Sequence, residues 1–167
     1  MKPGEDEKYD YEYKRQGTRN IFVSVEPKGG KRKVRVTKRR TKQDFAKFVQ
    51  GLVQDYGHAK KIHLVVDNLN THFESSFYET FSKKEAKKIL KRIKFHYTPK
   101  HASWLDMAEI EINVLSRQCI AWRISTEEEL VTKIEAWENR RNQDEEKIIW
   151  TFTKQDADRK LSKHYIP

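Results

Sequence analysis

Two carboxylates, Asp67 and Glu109, occupy positions from which they could bind a divalent metal ion. Asp67 directly follows the apolar run Ile62–Val66, which predicts a strand buried on both faces, and ligand sites in open α/β sheets lie beyond the carboxyl ends of such strands. Glu109 lies near the start of a predicted helix at 104–120. Mg²⁺ is typically held by one or two carboxylates together with waters and phosphate oxygens. The two acids therefore suit metal-dependent phosphodiester chemistry.

The spacing alone leaves a second interpretation open. An acid at the end of a strand often serves as a turn or cap residue, and a glutamate in an acidic stretch is usually solvated. Asp106 precedes Glu109 by three residues and so shares its helical face, which makes Asp106 a further candidate metal ligand. The same two interpretations apply to Asp106.

The elements that must position these acids have a mixed α/β order. Period-two alternation predicts strands at 21–25 and 33–37, which a turn containing Pro27, Gly29 and Gly30 joins into a hairpin. Further strands are predicted at 62–66 and 93–97, and a short helix around 73–81. Helices are predicted to begin at the N-cap residues Thr41, Ser82, Thr126 and Thr153. The expected fold class is α/β.

Charge and composition point to an intracellular protein with a polyanionic partner. The 167 residues carry 35 Lys and Arg against 25 Asp and Glu, a formal net charge of +10, and a basic surface of this kind favours nucleic acid. No apolar run is long enough for a membrane span, and no secretory signal follows Met1. The single Cys119 fits a reducing compartment. No membrane association is therefore expected.

Basic side chains are concentrated between residues 31 and 42, where eight of the twelve residues are Lys or Arg. These cations could neutralise DNA phosphates, or they could protect a solvated edge strand from aggregation. The Lys-rich segment 83–92 is interpreted as a solvated helix. The residues predicted to contact DNA are Lys33, Arg35, Arg39, Arg40, Lys100 and His101. For Lys100 and His101, buried or capping roles are the alternative.

Two longer stretches of sequence carry a family resemblance. The segments IHLVVDNLNTH (62–72) and FHYTPKHASWLDMAEIEINVLSRQ (95–118) resemble DDE transposases of the mariner superfamily, in particular the bacterial insertion-sequence branch. The shared motifs are Asp-Asn-x-x-x-His after an apolar strand, Tyr-x-Pro, and Leu-[Asn/Asp]-x-x-Glu on a helix. The segments YDYEYKRQGTRNIFVSVEP (9–27) and TKRRTKQDFA (37–46) look like the same branch. The resemblance extends from about residue 9 to the C-terminus.

The resemblance implies a ribonuclease-H-like mixed sheet flanked by helices, and DNA cleavage and strand transfer that depend on Mg²⁺ or Mn²⁺, with two ions in a complete site. By position, Asp67 matches the second acid of the catalytic triad and Glu109 the third, whereas Asp106 falls where the family often has Asn. Asn68 and His72 match residues beside the second acid. They are expected to orient Asp67 or a DNA phosphate, with turn and cap roles as the alternative.

The resemblance also implies partners and a location. DNA is the expected substrate, the active form is expected to be an oligomer, and the location is expected to be the cytoplasm of a bacterial or archaeal cell, in association with the nucleoid. A full-length transposase or an N-terminal fragment is a further expected partner.

The chain departs from the family pattern at its N-terminus. The family's first catalytic Asp lies on a central strand just upstream of the matching segment, and its DNA-reading region lies further upstream. We therefore expect residues 1–19 to be a polar arm and residues 20–167 to be a catalytic domain that lacks its first central strand. In the implied fold that strand pairs with 21–25 on one side and with 62–66 on the other, so the domain is expected to be unstable alone.

Three functions are consistent with these observations. The first is a transposase-type DNA nuclease and strand transferase, represented by an incomplete catalytic domain. The second is a catalytically inactive remnant that binds DNA or a transposase. The third is a different ribonuclease-H-like nuclease that takes its first carboxylate from the arm, where Asp6 and Asp10 are available.

Overall fold

The computed structural model describes residues 17–99 and 107–161, which form a mixed α/β fold. Its strands are β1 (Asn20–Glu26), β2 (Lys31–Thr37), β3 (Ile62–Val66) and β4 (Ile93–Tyr97). Its helices are α1 (Lys42–Asp55), α2 (Ser75–Thr80), α3 (Lys83–Leu90), α4 (Met107–Gln118), α5 (Glu127–Gln143) and α6 (Lys154–Leu161). The elements lie close to the predicted positions. No helix among the described residues has the length and apolar character needed to cross a bilayer.

The strands β1 and β2 form an antiparallel hairpin in which Glu26 pairs with Lys31 next to the turn. Gly30 in this turn has a φ of +67°, and a Cβ atom there would lie 2.3 Å from the carbonyl oxygen of Glu145. Glycine fits this position because it adopts positive φ freely and has no side chain to collide with the neighbouring backbone. The turn therefore brings the hairpin against the segment that follows α5.

The strands β3 and β4 form a separate parallel pair, in register from Ile62 with Ile93 to Val66 with Tyr97. The chain between them contains α2 and α3, as a parallel connection requires a crossover. Within the described ranges, β1 pairs only with β2, and β3 pairs only with β4. Each of β1 and β3 thus has one edge without a strand partner in this part of the chain.

Helix starts follow the predicted N-caps. The Thr41 hydroxyl accepts the backbone N–H of Asp44, and the Asp44 carboxylate accepts the backbone N–H of Thr41, which completes a capping box at α1. The Ser82, Thr126 and Thr153 hydroxyls each accept the backbone N–H three residues further on. These local bonds satisfy N–H groups that a helix leaves without an internal partner.

Apolar side chains form two cores, one on each face of the hairpin. The first core joins α1, α2 and α3 to one face of the hairpin and to the β3–β4 pair. In it Phe22 of β1 stacks on Phe48 of α1, with ring centroids 5.4 Å apart. The second core joins the other face of the hairpin to α4 and α5 through Leu115, Ile134 and Trp137. The hairpin is therefore covered on both faces.

The prediction that 62–66 is buried on both faces was wrong. Val65 is 53% exposed, and His63 on the same face of β3 is also exposed. The reason lies in the packing of the helices. Helix α4 packs on β1 and α5 packs on β2, so both cover the hairpin and this face of β3 stays open. On this open face the rings of His63 and His96 form a hydrogen bond, with Nδ1 and Nε2 2.9 Å apart.

The burial of α4 differs in part from what the helical spacing of its apolar residues predicts. The spacing of Ala108, Ile112, Leu115 and Cys119 predicts one apolar stripe, but only Leu115 of these is buried; Ile112 is 43% exposed, and Glu111, which lies outside the stripe, is buried instead. A buried carboxylate is tolerated only with strong partners, and Glu111 accepts hydrogen bonds from Arg32 and Arg141. A charged cluster thus replaces part of the expected apolar contact.

The tryptophans do not all anchor a core. Trp137 is buried in the second core, whereas Trp122, which follows α4, is 82% exposed. Trp150 is half-buried and meets Phe152 edge to face, with centroids 6.0 Å apart. Trp104 lies outside the described residues.

Candidate functional site

Asp67 lies at the carboxyl end of β3 with one carboxylate oxygen held and the other free. Its Oδ1 accepts the backbone N–H of Leu69 at 3.2 Å and lies 2.6 Å from Nδ1 of His72. Its Oδ2 has no hydrogen-bond partner among residues 17–99 and 107–161, and the side chain is 42% exposed. The local turn therefore fixes the carboxylate and leaves Oδ2 available to a ligand.

His72 is held in the orientation that contacts Asp67. Its side chain is only 18% exposed, and its ring packs on Phe45 of α1 with centroids 4.5 Å apart. Because a carboxylate oxygen can only accept, the proton of this hydrogen bond lies on Nδ1 of His72. Neutral His72 therefore carries its lone pair on Nε2.

Tyr97 and Asn68 tie the surrounding loop to the end of β4. The Tyr97 hydroxyl donates to the backbone carbonyl of His72 at 3.3 Å, and burial together with nearby Glu74 raises the pKa of Tyr97, so this hydroxyl keeps its proton at neutral pH. The Asn68 amide donates to the carbonyl oxygen of Thr98. The Asn68 side chain therefore binds the end of β4. The side chain that contacts Asp67 is that of His72.

Glu109 lies in the first turn of α4 and is exposed. It makes no hydrogen bond or ion pair with the part of the chain that the structure describes. Glu111, two residues further on, is 1% exposed and bound by two arginines. Of these two glutamates, Glu109 is the one whose carboxylate is free for a ligand.

The structure brings three of the predicted residues together at the end of β3 and places Glu109 on α4. Asp67, Asn68 and His72 are neighbours at the end of β3, whereas Glu109 lies on α4, which packs on β1. Lys100, His101 and Asp106 lie outside the described residues, as do Asp6 and Asp10 of the arm. No group of three or more His, Cys, Asp or Glu side chains suited to a metal ion occurs within the described ranges.

The donor atoms nevertheless fit a hard divalent cation. Asp67 offers a fixed and partly exposed carboxylate oxygen, and Glu109 offers an exposed carboxylate. Mg²⁺ and Mn²⁺ prefer oxygen ligands, and Mg²⁺ commonly takes only one or two from protein side chains and the rest from water and phosphate. The chemistry of these two carboxylates therefore fits an Mg²⁺ or Mn²⁺ ion.

Half of the eight cations between residues 31 and 42 have carboxylate partners inside the protein. The four pairs are Lys31–Glu145, Arg32–Glu111, Lys33–Asp55 and Lys42–Glu79. The other four side chains are exposed, and among them Arg35, Arg39 and Arg40 make no hydrogen bond or ion pair with their side chains to any described residue. Within residues 31–42, the charge available to a polyanion is therefore carried mainly by these arginines.

A shallow groove of about 390 Å³ lies between β2 and α1. Lys33, Arg35 and Lys47 line it, and Phe48 and Gly51 contribute to its wall. Sequence reasoning missed Lys47, because only the packing of α1 beside β2 brings this side chain next to Arg35. The helical spacing of the α1 core residues does place Lys47 on the exposed side, but nothing in the spacing indicates which strand it adjoins.

Comparison with known proteins identifies the family of this chain. The family model described as DDE superfamily endonuclease matches residues 1–131. No curated protein and no solved structure matches the chain significantly. The matched range includes Asp67, His72 and Glu109, together with the whole basic segment. The chain therefore belongs to the DDE superfamily endonucleases.

Proposed function

We propose that this chain is part of the catalytic domain of a transposase that cleaves DNA and transfers strands during movement of an insertion sequence. The proposal depends mainly on the environment of Asp67 at the end of β3. His72 binds its Oδ1, and its Oδ2 has no hydrogen-bond partner among the described residues. A strand-terminal carboxylate that served only as a cap would need no partly buried histidine to orient it. Family membership supports the same assignment.

In this proposal Asp67 and Glu109 hold a divalent ion, Mg²⁺ or Mn²⁺, and Asp106 is a further candidate ligand. When bound, such an ion supplies activation of a water or a 3′-hydroxyl and stabilisation of the leaving oxygen in phosphodiester transfer. The protein contributes the placement of the ligands, because His72 and the Leu69 N–H fix the Asp67 carboxylate before any ion arrives. Fixed ligands lower the cost of ordering a site on binding.

Arg35, Arg39 and Arg40 are proposed to bind phosphates of the DNA backbone, with Lys33, Lys100 and His101 as further contacts. Such contacts position DNA without reading its sequence. The arginines suit this role because they are exposed and have no internal carboxylate partner in the described ranges. Lys33 contributes less, since Asp55 already neutralises it.

The test is nicking of supercoiled plasmid DNA by the purified chain with Mg²⁺ or Mn²⁺. We expect activity that disappears with EDTA and in both Asp67→Ala and Glu109→Ala, while Glu135→Ala, an exposed acid on α5, remains active. Loss in Asp6→Ala or Asp10→Ala as well would assign the first carboxylate to the arm. Activity that survives Asp67→Ala would contradict the proposal.

A second candidate is a catalytically inactive protein that binds DNA or a transposase. It is favoured by the lack of a cluster of three metal-ligating side chains within the described ranges. Salt-sensitive DNA binding without nicking would support it. In that case the unpaired edges of β1 and β3 are proposed to take up a strand from an N-terminal fragment or a full-length transposase.

A further inference from the structure

A buried charge cluster anchors α4 two residues after Glu109. The Glu111 carboxylate accepts two hydrogen bonds from Arg32, from Nε at 2.9 Å and from Nη2 at 3.0 Å. It accepts two more from Arg141, from Nε at 3.1 Å and from Nη2 at 3.4 Å. The Arg32 and Glu111 side chains are 0% and 1% exposed, and that of Arg141 is 14% exposed. Each carboxylate oxygen thus has two donors.

The cluster joins three elements at one point. Arg32 belongs to β2, Glu111 to α4 and Arg141 to α5. Arg32 is itself fixed, because its backbone N–H and carbonyl both bond to the side chain of Asn142, and its Nη1 donates to the carbonyl of Gly30. The hairpin and α5 therefore provide a rigid frame, and Glu111 attaches the first half of α4 to it, while Leu115 and Gln118 attach the second half through the second core and a hydrogen bond from Trp137.

Two guanidinium groups face one carboxylate, so the anchor depends on charge. Among the described residues, Arg141 has one other acidic partner, Glu146, but that contact is longer, at 3.9 Å, and Glu146 is exposed. Removing the charge of Glu111 would leave the Arg32 guanidinium buried without an anion, which is strongly unfavourable. An apolar side chain at position 111 could fill the space, but it could not fix the rotation of α4 through directed hydrogen bonds.

Glu109 and Glu111 are related by the geometry of α4. Two residues correspond to about 200° around an α-helix, so Glu109 lies on the side of α4 opposite to Glu111. We infer that Glu111, gripped by Arg32 and Arg141, is a positioning residue that sets the rotation of α4 and so directs the Glu109 carboxylate toward the metal ion. This inference rests on the proposed function, and within it Glu111 touches neither metal nor DNA.

Mn²⁺ binding to the full chain tests the inference without any need for turnover. Free Mn²⁺ is titrated by electron paramagnetic resonance, and the ligands are mapped by Fe²⁺ and peroxide, which cut the backbone beside a bound iron ion. We expect Glu111→Gln to weaken Mn²⁺ binding by about tenfold or more, the usual effect of losing a residue that supports a metal ligand. Iron cleavage beside residue 109 should be lost, while cleavage beside Asp67 persists.

Two controls separate positioning from general damage. Glu146→Gln removes the exposed partner of the same Arg141 and should bind Mn²⁺ like the unaltered chain. Insertion of one Ala after Ile110 keeps the cluster intact but turns Glu109 by about 100°, so it should weaken Mn²⁺ binding while the circular dichroism melting curve stays near that of the unaltered chain. If Glu111→Gln fails to fold, the insertion and Arg141→Gln decide the question.

The outcomes distinguish the inference from the proposed function. If the unaltered chain binds Mn²⁺ and both Asp67→Ala and Glu109→Ala abolish binding, the proposed site is supported. If Glu111→Gln and the insertion then bind as tightly as the unaltered chain, the positioning role is wrong although the site stands. If the unaltered chain has no Mn²⁺ site that depends on Asp67 and Glu109, both are overturned.

Discussion

Nδ1 of His72 lies 2.6 Å from Oδ1 of Asp67, and the histidine ring packs against Phe45 of α1. The four residues between Asp67 and His72 thus form a turn that brings the histidine back to the end of β3. This contact links the first core to the candidate site, because the residue that orients the carboxylate is itself packed on a core phenylalanine. Changes at His72 should therefore act through Asp67.

We expect His72→Gln to weaken Mn²⁺ binding by about tenfold, because Asp67 would lose the donor that fixes Oδ1. His58→Gln, which alters an exposed histidine in the turn after α1, is the matched control and should have no effect. Titration of Mn²⁺ with each variant gives the comparison. Equal affinity in His72→Gln and the unaltered chain would show that the contact has no role in holding a ligand.

The double variant Arg39→Ala and Arg40→Ala should reduce the salt dependence of DNA binding. Each phosphate contact contributes about 0.9 to the slope of log K against log salt, so losing two contacts should lower the slope by about two units. The matched control is Lys83→Ala with Lys84→Ala, two exposed cations in the first turn of α3. Fluorescence anisotropy at several salt concentrations provides the slopes, and equal slopes for the two double variants would contradict a specific role for the arginines.

Arg32 should behave differently from its exposed neighbours. Because its side chain is fully buried on Glu111, Arg32→Ala should lower the free energy of unfolding by about 3–5 kcal/mol, the usual cost of breaking a buried ion pair. Arg39→Ala should change it by no more than about 0.5 kcal/mol, as is usual at the surface. Urea denaturation followed by circular dichroism measures both values. Similar stabilities for the two variants would place Arg32 outside the core.

Tyr56 should make folding stability depend on alkaline pH. Burial, and a hydrogen bond from its hydroxyl to the Glu26 carboxylate, raise the pKa of Tyr56 from 10.0 to about 12. The folded state therefore retains a proton that the unfolded state has lost, so this contribution is complete below pH 10 and disappears as the pH rises from 10 toward 12.

The corresponding measurement compares variants across that range. Tyr56→Phe should show a smaller loss of stability between pH 10 and 12 than the unaltered chain, whereas Tyr78→Phe, at an exposed position on α2, should show the same loss. Urea denaturation at fixed pH values gives the difference. An identical pH profile for Tyr56→Phe and the unaltered chain would show that the Tyr56 hydroxyl does not cause the loss of stability.

A peptide with an apolar run followed by Asp should stabilise the chain if a strand inserts beside β1 and β3. Each of these strands has one edge without a partner within residues 17–99 and 107–161, and such edges readily accept another strand. We expect a higher melting temperature and slower hydrogen exchange in both strands. A peptide of the same composition with proline in the run should have no effect, and equal results with both peptides would count against insertion.

Much of the local structure was determined by the sequence alone. Alternation of side chains placed β1 and β2, a short apolar run placed β3, and the Thr41–Asp44 pair placed the start of α1, because these signals depend on residues that are close along the chain. Asp67 at the end of β3 was also evident, since the apolar run before it has a clear limit. The motifs around Asp67 and Glu109 resemble DDE transposases of the mariner superfamily, and the comparison confirms the broader family of DDE superfamily endonucleases.

Only the tertiary structure decided which charges are free. Arg32 and Arg39 look alike in the sequence, as do Glu109 and Glu111, yet Arg32 and Glu111 are buried against each other while Arg39 and Glu109 are exposed. The partners lie 79 residues apart, so no local pattern records their meeting. Burial and ion pairing depend on which elements pack together, and here the packing of α4 and α5 on the hairpin covers β1 and β2 and leaves the outer face of β3 open.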